Sequence, residues 1–358
     1  MAKVDVLLPV KNGIAFLAES IDSIRAQTCT DWRLLVLDHG STDGSGQLAA
    51  NYSMIDSRIE LHSCESAKGL SELLNFGLDK VDCEFVMRHD ADDICVPERM
   101  AISLAAFAAE PDCVVVGGQA DVIDACGKTT GVLKMPVGRQ RIAAACLFTN
   151  PVAHPTAMLR MEEVAKRGIR YGVDFLKILP IEEQLSVNAL AEDYFLFGQL
   201  GIVGACTNVP HKLIAYRRHG NSVGATRGRD QLALSLAISR SLAGSFATMH
   251  ALPRFDPAPF CNHGGRLFDL QPVDNFSAAY SAMETTLKSG FGRSSGLERE
   301  LSFRRAIATR NDAVMLWRYG RFALAHASDT GEWNAVRSWC LRRLGGRHVA
   351  TVAPAFQT

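Results

Sequence analysis

The sequence of 358 residues has no excess of charge of either sign, because 38 Lys and Arg residues balance 38 Asp and Glu residues. This balance argues against a nucleic-acid-binding protein that relies on bulk positive charge. Apolar residues make up 47% of the chain and charged residues 21%, which excludes wholesale disorder and allows a sizeable core. The length suggests about two domains.

Closely spaced cysteine pairs and long apolar runs are also missing. None of the ten cysteines stands at Cys-x-x-Cys spacing, which argues against a zinc knuckle. Several, such as Cys113, lie in apolar runs and are expected to be small buried hydrophobes. The N-terminus enters a strand pattern without a secretory signal, so we expect a cytoplasmic protein with free thiols. Residues 231–252 come nearest to a membrane span, but Arg240 and four serines interrupt them.

Two phosphate-binding loops that define other enzyme classes are absent as well. A dinucleotide-dependent oxidoreductase needs Gly-x-Gly-x-x-Gly after its first strand, where this chain has Lys11, Asn12 and Gly13. A near match at residues 290–296 lies in a helical region with no strand before it. The chain also has no Walker-type loop, which disfavours a kinase or an ATPase.

Strand and helix patterns alternate along the first 130 residues. Short apolar runs predict strands at residues 4–10, 33–37, 58–62, 84–87 and 114–116. Helical spacing predicts helices at residues 14–24, 70–78 and 97–109. Asn12 is a candidate cap for the first of these helices. The alternation predicts an α/β fold with a mostly parallel sheet flanked by helices.

The pattern changes near residue 226. An Ala- and Ser-rich helical stretch leads into a Pro- and Gly-rich connector at residues 253–265. Further helices are predicted at residues 278–287, 297–325 and 332–344. We therefore divide the chain into residues 1–225 and a helical C-terminal appendage, residues 226–358, which carries no catalytic motif of its own.

Polar residues directly follow three of the predicted strands. They are Lys11, Asn12, Asp38, His39, Asp90, Asp92 and Asp93. Because ligands of such sheets bind outside the carboxyl ends of the strands, we expect these residues to meet in one crevice. The alternative is that they are ordinary turn residues, since Asp and Asn are common in turns.

Three carboxylates lie within four residues at Asp90, Asp92 and Asp93. Like charges this close repel one another unless something neutralises them. Mg²⁺ or Mn²⁺ does so through oxygen ligands, and a metal held by one or two carboxylates keeps positions open for substrate phosphates. A solvated acidic turn is the alternative.

Six regions, in order, resemble motifs of the family 2 glycosyltransferases, the large inverting group with the GT-A nucleotide-sugar fold. They are VDVLLPVKNG, LLVLDHGSTDGS, KGLSELLNFGL, FVMRHDADDICVPERM, the pair NPVAHPTAMLR and AEDYFLFGQL, and LIAYRRHGNSV. The resemblance covers about residues 3–220. It implies transfer of a hexose or N-acetylhexosamine from a nucleoside-diphosphate sugar, with a UDP-sugar as the expected donor. The implied acceptor is a hydroxyl of a glycan or lipid-linked molecule in bacterial surface polysaccharide synthesis.

The resemblance assigns the nucleotide base to the loops after the first two strands. It implies that Pro9, Val10 and Asn12 line the base, and that Asp38 hydrogen-bonds the base or the ribose. The family usually has a second aspartate where this chain has His39. That position reads uracil in some relatives, so the identity of the base stays open.

The resemblance also assigns the phosphate side of the nucleotide. Lys68, Gly69 and Asn75 are expected to border it, with Lys68 as a phosphate partner. Arg88, just before the acidic residues, is expected to orient their loop. Arg217 and Arg218 are candidate phosphate partners as well, although solvated surface arginines are the alternative.

The metal would be Mn²⁺ or Mg²⁺, and the resemblance implies its ligands. Asp92 would bind it directly, Asp90 would contact ribose or metal, and Asp93 would support the loop. His219, in the Tyr-Arg-Arg-His element, would be an additional ligand, because neutral imidazole binds metals well. An ordinary surface histidine is the alternative for His219.

Glu192 and Asp193 open a helix-like run, where carboxylates also complement the helix dipole. The resemblance implies that Asp193 is the catalytic base. Inverting transfer needs one carboxylate to deprotonate the acceptor hydroxyl as it attacks the anomeric carbon. His154 is expected near the acceptor cleft in a positional role. A protein that binds nucleotide sugars without catalysis is the alternative function.

The C-terminal residues have the composition of a basic amphipathic helix, which predicts peripheral contact with a membrane surface. The apolar side would carry Trp339, Leu341 and Leu344. The positive charges would come from Arg337, Arg342, Arg343 and Arg347. A terminal helix packed on its own domain, with solvated arginines, is the alternative.

Overall fold

The computed structural model describes residues 3–220, 228–263, 273 and 275–344, with side-chain surroundings as far as residue 340. Within these residues nine strands form one sheet. The strands are β1 (Val4–Val10), β2 (Trp32–Asp38), β3 (Ile59–Ser63), β4 (Phe85–Arg88), β5 (Ile94–Cys95), β6 (Val115–Ile123), β7 (Thr129–Leu133), β8 (Met158–Arg160) and β9 (Cys206–Arg217). Their order in the sheet is β3-β2-β1-β4-β8-β6-β9-β5, and β7 pairs with β6.

The helices lie on both faces of this sheet and continue beyond it. Those of the first region are α1 (Ile14–Arg25), α2 (Ser45–Ile55), α3 (Leu70–Lys80), α4 (Arg99–Ala109), α5 (Arg139–Ala145), α6 (Met161–Lys166) and α7 (Glu192–Ile202). Those of the C-terminal region are α8 (Gly228–Met249), α9 (Phe276–Phe291), α10 (Ser295–Ile307), α11 (Asp312–Ala325) and α12 (Thr330–Leu344). The α/β class and the helical C-terminal region are thus confirmed.

The alternation of strands and helices predicts a mostly parallel sheet, whereas the observed sheet is mixed. The pairings of β1 with β2, β1 with β4, β2 with β3 and β6 with β9 are parallel. The other four pairings are antiparallel. The parallel strands are those that helices connect. Further along the chain β6 turns directly into β7, and no crossover helix intervenes.

Two predicted details of the first helices are wrong. Asn12 does not cap α1, because Gly13 holds the cap position and Asn12 has a positive φ of 55°. The Asn12 Oδ1 instead accepts the Thr42 amide at 2.8 Å. Helix α4 begins at Arg99, so Pro97 lies before its first turn.

Both faces of the central strands are buried, which explains their continuous apolar runs. Alternate residues of β1 point to opposite faces. Val6 and Leu8 pack in the cluster that contains Leu17 of α1. Leu7 packs in the other cluster, with Leu74 of α3. Because these strands are parallel neighbours between two layers of helices, the carboxyl ends of β1, β2 and β4 lie side by side.

The C-terminal helices share a core with the first region. Phe195 of α7 is buried in one cluster with Leu242 of α8, Leu287 of α9 and Leu301 of α10. Among the described residues α8 is the one helix long and apolar enough to cross a membrane by length and composition. Its burial against α7 fits a core helix. The predicted division between residues 225 and 226 falls in the undescribed residues 221–227 and stays a prediction.

The predicted lipid-facing side of the last helix is wrong at Trp339. This side chain is only 2% exposed and packs in a cluster with Tyr319 and Phe322 of α11. The Arg310 guanidinium stacks on its ring at 3.7 Å from the centroid. The side chains from Leu341 onward, including that of Arg347, lie outside the described part of the chain.

A buried ionic network joins α12 to the first region, and its centre is Glu332. This side chain is 2% exposed and accepts hydrogen bonds from Arg141 at 3.0 Å and Arg299 at 2.9 Å. We expect Glu332→Gln to lower the free energy of unfolding by about 3 kcal/mol, because it leaves two buried cations undercompensated. Urea denaturation measures this change.

The matched control for this prediction is Glu163→Gln, which removes the partly exposed Glu163–Arg167 pair. That change should alter the free energy of unfolding by less than about 1 kcal/mol. Equal effects of the two substitutions would contradict the importance of the buried network.

Candidate active site

The predicted crevice forms at the carboxyl ends of β1, β2 and β4. The loop after β4, called here the acidic loop (residues 89–93), follows Arg88 directly. Backbone hydrogen bonds join the strand ends, since the His39 amide donates to the Val10 carbonyl at 2.9 Å and the His89 amide donates to Leu7 at 3.0 Å. Side chains that follow three separate strands are therefore brought to one edge of the sheet.

Arg217, at the end of β9, anchors the acidic loop. Its amide donates to Asp93 Oδ1 at 2.8 Å, and its Nε donates to the Asp92 carbonyl at 2.8 Å. The guanidinium also lies 4.6 Å from the centre of the Phe16 ring and forms an ion pair with Glu19 at 2.5 Å. These contacts occupy Arg217, so its role is structural and the predicted phosphate contact is wrong.

Asp90, Asp92 and His219 converge at the open side of the acidic loop. One oxygen from each of Asp90, Asp92 and Asp93 lies within 4.8 Å of the others. His219 Nε2 lies 2.9 Å from Asp92 Oδ2. The side chains of Asp90 and Asp92 are 28% and 32% exposed, whereas Asp93 is fully buried. Two accessible carboxylates and an imidazole therefore face the same point, a donor set that suits a divalent cation.

The electrostatics of the acidic loop favour a bound cation. Burial, together with the charges of Asp90 and Asp92, raises the pKa of Asp93 well above its ordinary value. Burial also raises the pKa of Asp90, and the charge of Arg88 opposes that rise. Arg88 forms a direct ion pair with Asp90, as its predicted orienting role requires. The pKa values of Asp90 and Asp93 remain raised although Arg88 lies close to both, so added positive charge would stabilise the loop.

A buried cluster behind the loop holds it in place, and the sequence analysis missed its members. Arg99 donates from Nη2 to the Arg88 carbonyl at 2.6 Å and from Nη1 to Cys95 Sγ at 3.1 Å. His89 Nδ1 lies 3.2 Å from Arg99 Nη1. Burial and the charges of Arg99 and Arg88 lower the pKa of His89 well below its usual value, so its ring is neutral. Arg99 is visible in the sequence only as a charge at the start of an apolar helix.

Asp193 lies at the first turn of α7, and Asn150 orients its carboxylate. Asn150 Nδ2 donates to Asp193 Oδ2 at 2.8 Å. Burial raises the pKa of Asp193 to about 6, a hydrogen bond from the Tyr194 amide lowers it, and the charge of Asp90 raises it. Burial and the charge of Asp193 raise the pKa of Glu192 to about 7.

His154 and Tyr171 form the wall beside these carboxylates. His154 Nε2 lies 3.2 Å from the Tyr171 hydroxyl. Burial and the charge of Arg88 lower the pKa of His154 well below its usual value. Asn75 holds the Tyr171 backbone, since its Nδ2 donates to the carbonyl at 3.0 Å and its Oδ1 accepts the amide at 2.9 Å. Asn75 therefore positions the Tyr171 backbone, and its expected place beside the nucleotide stays a prediction.

The loops after β1 and β2 interlock at the predicted base side. The Asn12 amide donates to Ser41 Oγ at 3.0 Å, and Asp38 Oδ1 accepts the Ser41 amide at 3.0 Å. A Cβ added at Gly46 would lie 2.8 Å from Asp38 Oδ2, so only glycine allows this close approach. Pro9 and Val10 are buried in β1. The exposed backbone turn at Asn12 is the part of this group that faces solvent.

Lys68 and Gly69 lie where residues 187–188 cross the start of α3. Lys68 is exposed, and its amide donates to Glu72 at 3.0 Å. A Cβ at Gly69 would lie 3.2 Å from the Asn188 carbonyl. His39 Nε2 lies 2.6 Å from the Ala67 carbonyl, which ties this segment to the end of β2. The segment that carries Lys68 and Gly69 is thus held next to the end of β2, with the Lys68 side chain exposed.

The sheet and its flanking helices have the arrangement of GT-A glycosyltransferases. The structure of S. aureus TarS 1-349 in complex with UDP matches with a TM-score of 0.50 at 15% identity, covering 98% of this chain and 94% of that one. This likeness shows the fold. The helical C-terminal region is included in it.

Sequence comparison finds a family similarity in the first region of the chain. Residues 5–168 match the profile of glycosyl transferase family 2. A glycosyltransferase of Haemophilus influenzae, described as uncharacterized, is 26% identical over 245 residues, which are 66% of this chain and 72% of the relative. The O-antigen biosynthesis glycosyltransferase WbnJ of Escherichia coli is 27% identical over 227 residues, 61% of this chain and 81% of the relative. The predicted resemblance to this family is confirmed over residues 5–168.

Proposed function

We propose that this protein is a metal-dependent inverting glycosyltransferase of the cytoplasm. It would transfer a sugar from a nucleoside-diphosphate sugar to a hydroxyl of a glycan or lipid-linked acceptor in bacterial surface polysaccharide synthesis. The observation that carries the proposal is the joint placement of Asp193 and the acidic loop. Asn150 orients the Asp193 carboxylate, and Asp90, Asp92 and His219 form the donor set of the acidic loop, which supports a base for the acceptor and a site for the diphosphate in the same protein.

The proposed step is a single displacement at the anomeric carbon. Asp193 takes the proton of the acceptor hydroxyl as that oxygen forms a bond to the anomeric carbon. The bond from this carbon to the diphosphate oxygen breaks, and its electron pair leaves with the nucleoside diphosphate. Attack from the side opposite the leaving group inverts the anomeric configuration. Asn150 keeps one oxygen of Asp193 engaged, which fixes the direction of the other.

Asp90, Asp92 and His219 would hold the divalent cation. The fit rests on the buried Asp93, whose Oδ2 has no partner, and on the convergence of the two exposed carboxylates with His219 Nε2. When bound, Mn²⁺ or Mg²⁺ would neutralise the negative charge that develops on the leaving diphosphate. Arg88 keeps Asp90 aligned, and Arg217 fixes the backbone of the loop.

His154 and Tyr171 are the proposed acceptor-side wall. Both side chains are largely buried, and the low pKa of His154 keeps its ring neutral near neutral pH. Neutral imidazole and phenol groups can hydrogen-bond sugar hydroxyls without competing with Asp193 for the proton. Asn75 supports this wall through the Tyr171 backbone.

The donor is the least determined part of the proposal, and a UDP-sugar is the first candidate. The TarS structure that this fold resembles is a complex with UDP. In this chain His39 stands beside Asp38, and its Nε2 is engaged with the Ala67 carbonyl. The relative WbnJ, named for O-antigen biosynthesis, supports a surface polysaccharide as the product class.

Calorimetric binding of UDP-, GDP- and dTDP-sugars with Mn²⁺ tests the donor. We expect one nucleotide class to bind at least about tenfold more tightly than the others, because the loops after β1 and β2 present a fixed set of hydrogen-bonding groups to the base. Asp112→Asn, at an exposed aspartate, is the matched control for charge loss and should leave binding unchanged.

Turnover then separates catalysis from binding alone. Slow hydrolysis of the bound sugar, measured as release of nucleoside diphosphate, needs no knowledge of the acceptor. Binding of no nucleotide sugar would contradict the proposal. Tight binding without release of nucleoside diphosphate, and without transfer to any glycan or lipid-linked acceptor offered, would favour the non-catalytic alternative.

A further inference from the structure

Helix α11 is apolar on two opposite faces, and only one of them is buried. Met315, Tyr319 and Phe322 pack into the core of the C-terminal region. On the opposite side Trp317 is 61% exposed and Leu324 is 91% exposed. An ordinary surface helix carries polar residues on its outer face, so this exposed apolar face needs an explanation.

The exposed residues form one continuous stripe. Successive residues turn by about 100° around a helix. Ala313, Leu316, Trp317, Gly320 and Leu324 therefore lie on the same side, away from the buried face. We call these five residues the α11 face. All five are exposed, and the stripe from Ala313 to Leu324 covers about three turns of the helix, or about 17 Å along its axis.

Helix α12 extends the apolar surface. Trp333 is 49% exposed, and its ring stacks on Tyr319 of α11 with 5.8 Å between centroids. Leu316 comes three residues before Tyr319 and Ala323 four residues after it, so both are its neighbours on the helix surface, and both are exposed. Trp333 is therefore a further exposed apolar side chain next to α11, in contact with Tyr319 of its buried face. Tryptophan and leucine in this combination are typical of residues that enter a lipid interface.

The charges next to the α11 face are positive. The Arg321 guanidinium lies 5.1 Å from the centre of the Trp317 ring, and Arg337 is exposed one turn after Trp333. The neighbouring acids are already paired, because Asp329 and Glu332 both bind Arg141. Arginine beside an apolar stripe can keep its charge in the headgroup layer while the apolar groups enter the acyl boundary.

A second copy of the chain fits this face less well than a lipid surface. A single 14-residue helix is about 21 Å long and about 10 Å wide, so its face offers roughly 200 Å². A stable protein interface buries about 800 Å² per partner. Pairing two such faces would also bring Arg321 of each copy close to the other. An anionic bilayer offers a surface that is not limited in area, and its negative charge complements the arginines.

We propose that the α11 face docks the protein onto an anionic lipid surface. Leu316, Trp317 and Leu324 enter the interfacial layer, and Arg321 and Arg337 contact headgroup phosphates. The buried Trp339, which the sequence analysis assigned to such a contact, instead supports α11 from behind. This inference does not depend on the proposed catalytic function, since no residue of the α11 face belongs to the candidate active site.

Flotation of the full chain with lipid vesicles tests the proposal. We expect the protein to bind vesicles of phosphatidylcholine with phosphatidylglycerol at low salt, and to bind those of phosphatidylcholine alone much more weakly. The double variant Trp317→Ser/Leu324→Ser should lose at least about tenfold in vesicle affinity, because two large apolar side chains no longer enter the interface. Arg321→Gln should reduce the preference for the anionic vesicles.

The matched control is Met54→Ser/Ile55→Ser, which removes two other exposed apolar side chains, 76% and 70% exposed, at the end of α2. It should bind vesicles like the wild type. Thermal unfolding and release of nucleoside diphosphate should be the same for both double variants and the wild type. A chain truncated after Asp329 is not a suitable variant for this test, since the truncation removes Trp339 and Val336 from the core.

Three results would overturn the proposal. The first is wild-type protein that does not float with anionic vesicles at low salt. The second is equal flotation of the α11-face variant and the wild type. The third is a dimer in sedimentation velocity that the α11-face variant abolishes, since this would identify a second copy as the occupant. Because nucleotide-sugar binding is measured separately, failure here leaves the proposed transferase function intact.

Discussion

Replacing Asp193 with Asn is expected to lower turnover by about 10²–10⁴-fold, the contribution typical of general base catalysis. Nucleotide-sugar affinity should stay within a few-fold of the wild-type value. Asn preserves the size of the side chain and can still accept the hydrogen bond from Asn150, which is 2.8 Å long in the wild type. The loss therefore isolates the ability to take a proton. Steady-state transfer and calorimetric donor binding measure the two quantities.

The pH dependence of the wild type checks the same assignment. The base works only when it is unprotonated, so turnover should rise with pH and level off above the pKa of Asp193. Burial raises that pKa from the ordinary 3.8 to about 6, so we expect the rise to be centred near pH 6. The rise of turnover near pH 6 should be absent from the residual activity of Asp193→Asn. Asp112→Asn, at an exposed surface aspartate, should keep the wild-type profile.

Collapse of donor binding in Asp193→Asn would move Asp193 to the donor site. The base would then have to be sought among the neighbouring groups, and Glu192 is the first to consider. Its pKa is raised to about 7 by burial and by the charge of Asp193, and its Oε2 has no partner. Glu192→Gln separates these cases, because turnover near the wild-type rate in this variant leaves Asp193 as the base.

The first half of the sheet could be predicted because its features are local. Strands such as β1 are continuous apolar runs, and polar residues follow each strand directly, so Asp38 and Asp92 are visible as candidates in the sequence. Parallel pairing follows from the helices between the strands. From β6 onward the strands pair across long separations, as β6 does with β9. The sequence carries no local pattern for such contacts, so the mixed character of the sheet could not be predicted.

The supporting contacts in the site could not be predicted for the same reason. Asn150 meets Asp193 across 43 positions, and Asn75 meets the Tyr171 backbone across 96. Arg217 meets the Asp92 carbonyl across 125. Each contact joins two residues that look like ordinary polar side chains in their own segments. Only the fold shows that one partner orients the other.

The exposed face of α11 illustrates a different limit. A helix with apolar residues on two faces has no clear polar side in its sequence. The spacing in residues 297–325 therefore predicts a helix but does not predict which of its sides is buried. Sequence patterning assigned the interfacial role to Trp339, whereas the packing of Phe322 and Tyr319 requires Trp339 in the core. The basic and aromatic composition of the C-terminal region indicates an exposed apolar face. That face belongs to α11, the helix before the last one.

Replacing Asp92 with Asn is the second change with a large expected effect. We expect turnover to fall by about 10²–10³-fold, because neutralising the leaving diphosphate supplies several kcal/mol of transition-state stabilisation. The fold should be unaffected. Arg217 holds the Asp92 carbonyl at 2.8 Å and the Asp93 carboxylate at 2.8 Å, and Asn at position 92 preserves both contacts. Near wild-type turnover with Mn²⁺ would remove Asp92 from the proposed metal ligands.

The metal contribution has a readout apart from turnover, namely Mn²⁺ affinity with and without UDP. Within the acidic loop Asp90 and Asp92 are the two partly exposed carboxylates, and Arg88 already pairs with Asp90, so the loop alone should bind Mn²⁺ weakly. UDP would add phosphate oxygens to the same ion, so we expect calorimetry to give at least about tenfold tighter Mn²⁺ binding in its presence. Asp92→Asn should abolish this enhancement, and Asp112→Asn should retain it. Equal Mn²⁺ affinity with and without UDP would mean that the diphosphate and the cation do not share this site.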